Sequence, residues 1–237
     1  MLPFLLTVAL MVVLYFSPGH TALRLEREGG GLQIDVWTLY VVPSPLILLA
    51  PFTAGLTKIT RNYAREDHAF VWSDFWEAVK DNWKAFLLNG LIFYCAAAVL
   101  SLAMLYYYTR ASFSFLNYVP FGLALLVSLL LLWMEYYVPV MLVTFDLKLR
   151  QVYRNAAIFI LAGFWRNAVI TGVFLALGIL VWSIPISGYS IPVYLALIAL
   201  WVFYFISFLV NYMVYPVIDQ YLIRPQNAPP EPSDPEA

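Results

Sequence analysis

The chain has 237 residues, of which 63% are hydrophobic and 11% charged, with a formal net charge of −1. Soluble domains average roughly 45–50% and 25% on these two counts, so the bilayer must act as solvent for much of this surface. The near-neutral charge excludes nucleic acid as a partner, since a phosphate-binding face needs a clear basic excess, and the single cysteine, Cys95, can form no intrachain disulfide and is expected as a small buried hydrophobe.

Six apolar stretches reach or approach the roughly 20 helical residues that cross a hydrocarbon core about 30 Å thick. They cover residues 2–16, 36–56, 85–108, 119–143, 167–184 and 191–216. The expected fold class is therefore all-α: a polytopic transmembrane helix bundle of about six spans in one membrane-embedded domain over residues 1–223. The first stretch is short enough to be a signal peptide, which leaves five spans if it is cleaved. It has no Lys or Arg before its apolar run, however, and Ser17-Pro18-Gly19-His20 is a poor cleavage site. Gly29-Gly30-Gly31 lacks the lysine of a phosphate-cradling loop and is expected as a flexible turn.

In the second stretch Pro43, Pro45 and Pro51 each remove a helical hydrogen bond and free a carbonyl that must be satisfied inside protein. Beyond it, residues 61–84 read RNYAREDHAFVWSDFWEAVKDNWK. Trp72, Phe75, Trp76, Val79, Trp83 and Phe86 recur at the spacing of one helical face, with Asp74, Glu77, Asp81 and Lys84 on the other. Flat amphipathic rings favour the headgroup boundary, so the pattern predicts an amphipathic helix lying in the membrane surface. A second one is expected after the fourth stretch. There Leu149, Val152, Tyr153, Ala156 and Ile160 form a stripe, with Arg150 and Arg154 one turn apart opposite it. Both lead into a span by a similar phrase: Trp83-Lys84 then Asn89-Gly90, and Trp165-Arg166 then Thr171-Gly172. This fits either a duplicated unit or coincidence.

With six spans, one side receives Lys58, Arg61, Arg65, Lys80, Lys84, Lys148, Arg150, Arg154, Arg166 and Arg224, and the other only Arg24, Arg27 and Arg110. The basic side is expected to be cytoplasmic. This gives a multi-pass protein of the cell membrane with both termini inside. Residues 224–237 carry Pro229, Pro230, Pro232 and Pro235 with Glu231, Asp234 and Glu236, the composition of a disordered acidic tail.

Chemistry is sparse. His20 and His68 fall on opposite sides and cannot share an ion, and no nucleophile or metal motif is present. The sequence therefore predicts no enzyme, no metal site and no cofactor. Glu135 is the exception on energetic grounds. It lies about eleven residues, roughly 16 Å, from the cytoplasmic end of its helix, where a charge costs at least a few kcal/mol and the side chain should face the bundle interior. Its candidate partners at similar depth are Ser44, Tyr94, Ser101, Thr171, Tyr204 and Ser207, and Pro139 breaks the same helix one turn on. The carboxyl is either a structural group bonded to a Tyr or Ser, or a solute or proton site, or a contact to a partner subunit.

The run Pro45-Leu46-Ile47-Leu48-Leu49-Ala50-Pro51-Phe52-Thr53-Ala54-Gly55-Leu56, followed by Arg65-Glu66-Asp67, Val71-Trp72-Ser73-Asp74-Phe75-Trp76 and Lys80-Asp81-Asn82-Trp83-Lys84, resembles the YesL-like family of bacterial integral membrane proteins. So do Tyr137-Val138-Pro139-Val140, Phe145-Asp146 and residues 149–156. The family is a domain of unknown function whose members are commonly encoded beside sugar-uptake ABC transporters and sensor kinases. The resemblance implies an accessory or regulatory component of a carbohydrate uptake system, with an ABC sugar permease or a sensor kinase as partner. The residues themselves keep a small-solute transporter or channel open, on Glu135 and the broken spans. A membrane-embedded enzyme acting on lipid or glycan has no residue in its favour.

Overall fold

The computed structural model describes residues 2–15, 22–25, 32–35, 37–111, 115–183 and 203–223. The first apolar stretch forms α1, Leu2–Tyr15. At 1.5 Å per residue this helix is about 21 Å long, short of a hydrocarbon core of about 30 Å. The Trp37 indole N–H donates to the Leu14 carbonyl at 2.9 Å, which ties the end of α1 to the start of the second stretch. Between them β1, Ala22–Leu25, pairs antiparallel with β2, Leu32–Asp35, with Leu25 opposite Leu32. This hairpin is the one departure from an all-helical fold among the described residues. The glycine run, His20, residues 187–190 and the acidic tail lie outside the described residues.

Four helical stretches are long and apolar enough to cross a membrane: Trp37–Ala64, Val71–Thr109, Phe115–Thr144 and Tyr204–Ile223. A fifth crossing is available if the bent pair Leu149–Ala162 and Phe164–Leu180 acts as one span. The first stretch that crosses is broken where its prolines fall. A π-helical turn, Trp37–Val41, gives way to a 3-10 segment, Ser44–Leu49, and then to α2, Ala50–Ala64. Proline cannot donate to the helical ladder, so Pro43, Pro45 and Pro51 divide what the apolar run alone would make continuous.

The surface helix expected over the Trp72–Trp83 stretch is not a separate element. It is the first part of α3, Val71–Ala111, a single 41-residue helix that runs on through the third apolar stretch. Amphipathic and apolar segments share the same 3.6-residue period, and no glycine or proline stands between Val71 and Gly90, so nothing in the backbone ends the helix where its polarity changes. The helix starts with Asp74 Oδ2 accepting from the Phe70 backbone N–H at 3.0 Å. Helix α4, Tyr118–Thr144, contains Pro139; α5, Leu149–Ala162, and α6, Phe164–Ser183, follow; α7, Phe203–Ile218, ends the described chain with a π-helical turn, Asp219–Ile223.

The core sits at one end of the bundle. In α4 the first half exposes Leu123, Leu125, Leu126 and Val127, whereas Trp133, Tyr136, Tyr137, Val138, Val140 and Met141 are buried. Around that second half pack Ala54, Phe86, Val152, Ala156, Phe159, Ile170, Val214 and Ile218 from α2, α3, α5, α6 and α7. The C-termini of α2 and α4, the start of α3 and all of α5 meet at this end, which also carries most of the basic residues. The stripe of α5 is thus spent on protein, through Val152, Ala156, Phe159 and Ile160, while Arg150 and Arg154 are exposed.

Helices α5 and α6 meet at 89°. Gly163 stands at the elbow because a Cβ there would collide with the Tyr137 hydroxyl. That hydroxyl donates to Asn167 Oδ1 at 2.9 Å, and Asn167 Nδ2 donates to the Ile160 carbonyl at 3.2 Å. The side chain of Asn167 thereby takes over a carbonyl in the last turn of α5 that the bend leaves without a helical partner.

Candidate functional site

Three side chains from three elements meet within the core end of the bundle. Asn89 on α3, 3% exposed, donates from Nδ2 to Glu135 Oε1 on α4 at 2.8 Å. Its other amide atom, Oδ1, accepts the Tyr153 hydroxyl from α5 at 2.6 Å. Asn89 suits this position because one amide both donates and accepts, so it bridges a carboxyl and a phenol without leaving either amide atom idle. The next residue, Gly90, lets the chain come close: a Cβ there would sit 2.7 Å from that of Ala50. Pro139 has no N–H to offer the carbonyl four residues back, and that carbonyl belongs to Glu135. Both side chain and backbone of Glu135 thus depart from ordinary helix bonding. Through Tyr153 the site reaches α5, outside the span that carries the carboxyl.

None of the six residues expected beside Glu135 is its partner. Thr171 accepts the Trp133 indole N–H at 2.9 Å and lies 3.2 Å from the Tyr136 hydroxyl. Ser101 pairs with the Tyr40 hydroxyl at 3.0 Å, and the Tyr94 hydroxyl donates to the Tyr40 carbonyl, so those two hold the π-helical turn against α3. Ser44 donates to the Val41 carbonyl at 2.7 Å, inside the broken segment. Ser207 pairs with Thr60 across α2 and α7 at 3.0 Å, and Tyr204 is exposed. The residues the sequence reading passed over are Asn89 and Tyr153. The one signal for Asn89 in the sequence is the repeated phrase, in which it precedes Gly90 as Thr171 precedes Gly172. Each of these polar residues bonds α4, although a Cβ at Gly172, unlike one at Gly90, would meet nothing.

A second polar cluster lies between α2, α4 and α7. Asn211, 2% exposed, donates to Thr60 at 2.9 Å. Beside Thr60, Arg61 donates from Nη1 to the Val143 carbonyl at 3.3 Å and to Thr144 Oγ1 at 3.0 Å, and from Nη2 to Asn62 Oδ1 at 3.0 Å. Val143 is in the last turn of α4, where carbonyls lack helical partners, so Arg61 caps a neighbouring helix.

The tryptophan stripe divides between protein and surroundings. The Phe75 ring lies against Gly55, and Trp76 meets Phe52 edge-on at 6.2 Å. Val79 and Phe86 are buried, whereas Trp72 is 76% and Trp83 46% exposed. Cys95 is also exposed, on α3. In a chain whose solvent is lipid, an apolar neighbourhood in sequence does not imply burial against protein. No group of three or more His, Cys, Asp or Glu able to hold a metal ion occurs among the described residues.

A family model described as "Protein of unknown function, DUF624" matches residues 36–104. The match takes in the broken second stretch and most of α3, including Asn89, and stops short of Glu135 and Tyr153. No curated protein and no solved structure matches the chain.

Proposed function

We propose that this is a non-catalytic multi-pass component of a bacterial cell membrane, an accessory or regulatory subunit of a carbohydrate uptake system. The observation that carries the reading is the Tyr153–Asn89–Glu135 chain, which fixes the exposed basic helix α5 to two membrane helices at once. A helix held in this way moves with the bundle, so a protein docked on α5 would sense the arrangement of the spans. The carbohydrate context rests on the resemblance to the YesL-like family, with which the matched domain of unknown function is consistent. In this reading Arg150 and Arg154 face the cytoplasm, together with both termini. Reporter fusions after residue 66 and after residue 223 should both report a cytoplasmic location.

The test is affinity purification of the tagged full-length chain from its native membrane. An ABC sugar permease or a sensor kinase should co-purify, and replacing Arg150 and Arg154 by Glu should abolish this while leaving the protein folded. Homo-oligomers alone, with solute uptake by the reconstituted protein, would instead support a small-solute transporter. The broken segment from Trp37 to Leu49 and the partly buried Glu135 are the features that favour that second reading.

A further inference from the structure

Arg61 is 7% exposed, and every acceptor it bonds is neutral: a backbone carbonyl, a threonine hydroxyl and an asparagine amide. Its Nε is buried and bonds nothing. Among the described residues no carboxylate lies within ion-pair distance of it; Asp67 pairs with Arg65 at 3.1 Å. A guanidinium cannot shed its proton, so a buried one must be offset by a counter-charge or remain costly. Asn62 makes the omission specific. An aspartate there would place a carboxylate oxygen on the same site, 3.0 Å from Nη2, and complete an ion pair without any change of shape; this chain has the amide. Arg65 lies one helical turn on and stacks 5.1 Å over the Tyr215 ring. Its pair with Asp67 is solvent-exposed on both sides, so it holds little energy and gives way to a better anion.

We propose that Arg61, with Arg65 as the outer contact, forms a binding site for a phosphate group at the basic end of the bundle. The Nε–H of Arg61 is buried and unused beside an Nη of the same planar fork, the donor pair that matches two oxygens of one phosphate. Arg65 supplies the second positive charge once it leaves Asp67. The phosphate comes either from a phospholipid headgroup of the adjacent leaflet or from a soluble phosphate compound, and the two sources are separable by experiment.

The full-length protein is purified in a maltoside detergent, which contains no phosphate, and its thermal unfolding is followed at constant ionic strength. Inorganic phosphate is titrated against chloride in one series and dihexanoyl phosphatidylglycerol is added in another. Occupancy of the native state alone raises the midpoint by about 5–10 °C at roughly a hundredfold excess over Kd. A rise with inorganic phosphate assigns the site to soluble phosphates, and a rise with the lipid only assigns it to a headgroup. Arg61→Gln should remove the response. Because that change also uncaps α4, Asn62→Asp provides the second variant: it keeps Arg61 and the shape of the site, supplies an internal counter-charge, and should fold yet respond to neither probe. No rise with either probe in the unaltered protein, or an undiminished rise in Asn62→Asp, would overturn the proposal.

Discussion

Replacing Glu135 by leucine should destabilise the protein through Asn89 rather than through Glu135 itself. In the native arrangement Asn89 Nδ2 spends its hydrogen bond on Glu135 at 2.8 Å, and Asn89 is 3% exposed. With the carboxyl gone this buried donor loses its acceptor, and a buried unsatisfied donor costs about 1–3 kcal/mol. Glu135→Gln keeps an acceptor oxygen in place and should stay within about 1 kcal/mol of the original. Asn89→Leu removes both bonds of the chain and strands the Glu135 carboxyl and the Tyr153 hydroxyl together, for roughly 2–5 kcal/mol. The decisive measurement is the double variant. If the two side chains act through each other, Glu135→Leu combined with Asn89→Leu should cost less than the sum of the single changes by about 1–3 kcal/mol. Denaturant unfolding of the purified protein in mixed micelles, followed by tryptophan fluorescence, gives all four corners of the cycle. Strictly additive costs, or a Glu135→Leu variant as stable as Glu135→Gln, would show that the contact contributes nothing to the fold.

At the elbow, Gly163→Ala drives a methyl group into the Tyr137 hydroxyl and should cost about 1–3 kcal/mol from overpacking and the disturbed bond to Asn167. Adding Tyr137→Phe should restore part of that loss, measured as thermal midpoint. Glu66 holds a φ of 61° just after α2, a left-handed position where a side chain is strained and glycine is not; Glu66→Gly should therefore raise stability by up to about 1 kcal/mol in the same assay. Along α3, changing the exposed Trp72 and Trp83 to alanine should leave the accessibility of cysteines placed between residues 74 and 84 unchanged. Phe75→Ala, which empties the contact on Gly55, should increase that accessibility and cost about 2 kcal/mol or more.

Composition pointed to lipid as the solvent of this chain. Although the run at 2–16 gives a helix too short to cross and that at 167–184 crosses only together with the bent α5, the apolar runs at 36–56, 85–108 and 119–143 correspond to helical stretches long enough to cross. These follow from transfer free energy and helix rise, both local properties of sequence. The break in the second stretch was equally legible, because proline acts on its own helix wherever it stands: Pro43, Pro45 and Pro51 gave a π-helical turn, a 3-10 segment and an α-helix in place of one rod. The stripe of α5 was readable as a face, but what covers that face was not. Periodicity says that Val152, Ala156 and Ile160 point the same way, and only packing places protein rather than lipid against them. The same limit merged the tryptophan stripe with the third apolar stretch, since a helix changes its surroundings along its length without changing its backbone. Glu135 stood out from its energetic cost alone. Its partners did not, because depth along each span ranks residues by height and leaves the rotation of each helix undetermined, and that rotation brings Asn89 and Tyr153 to the carboxyl while turning Thr171 towards Trp133 and Ser207 towards Thr60.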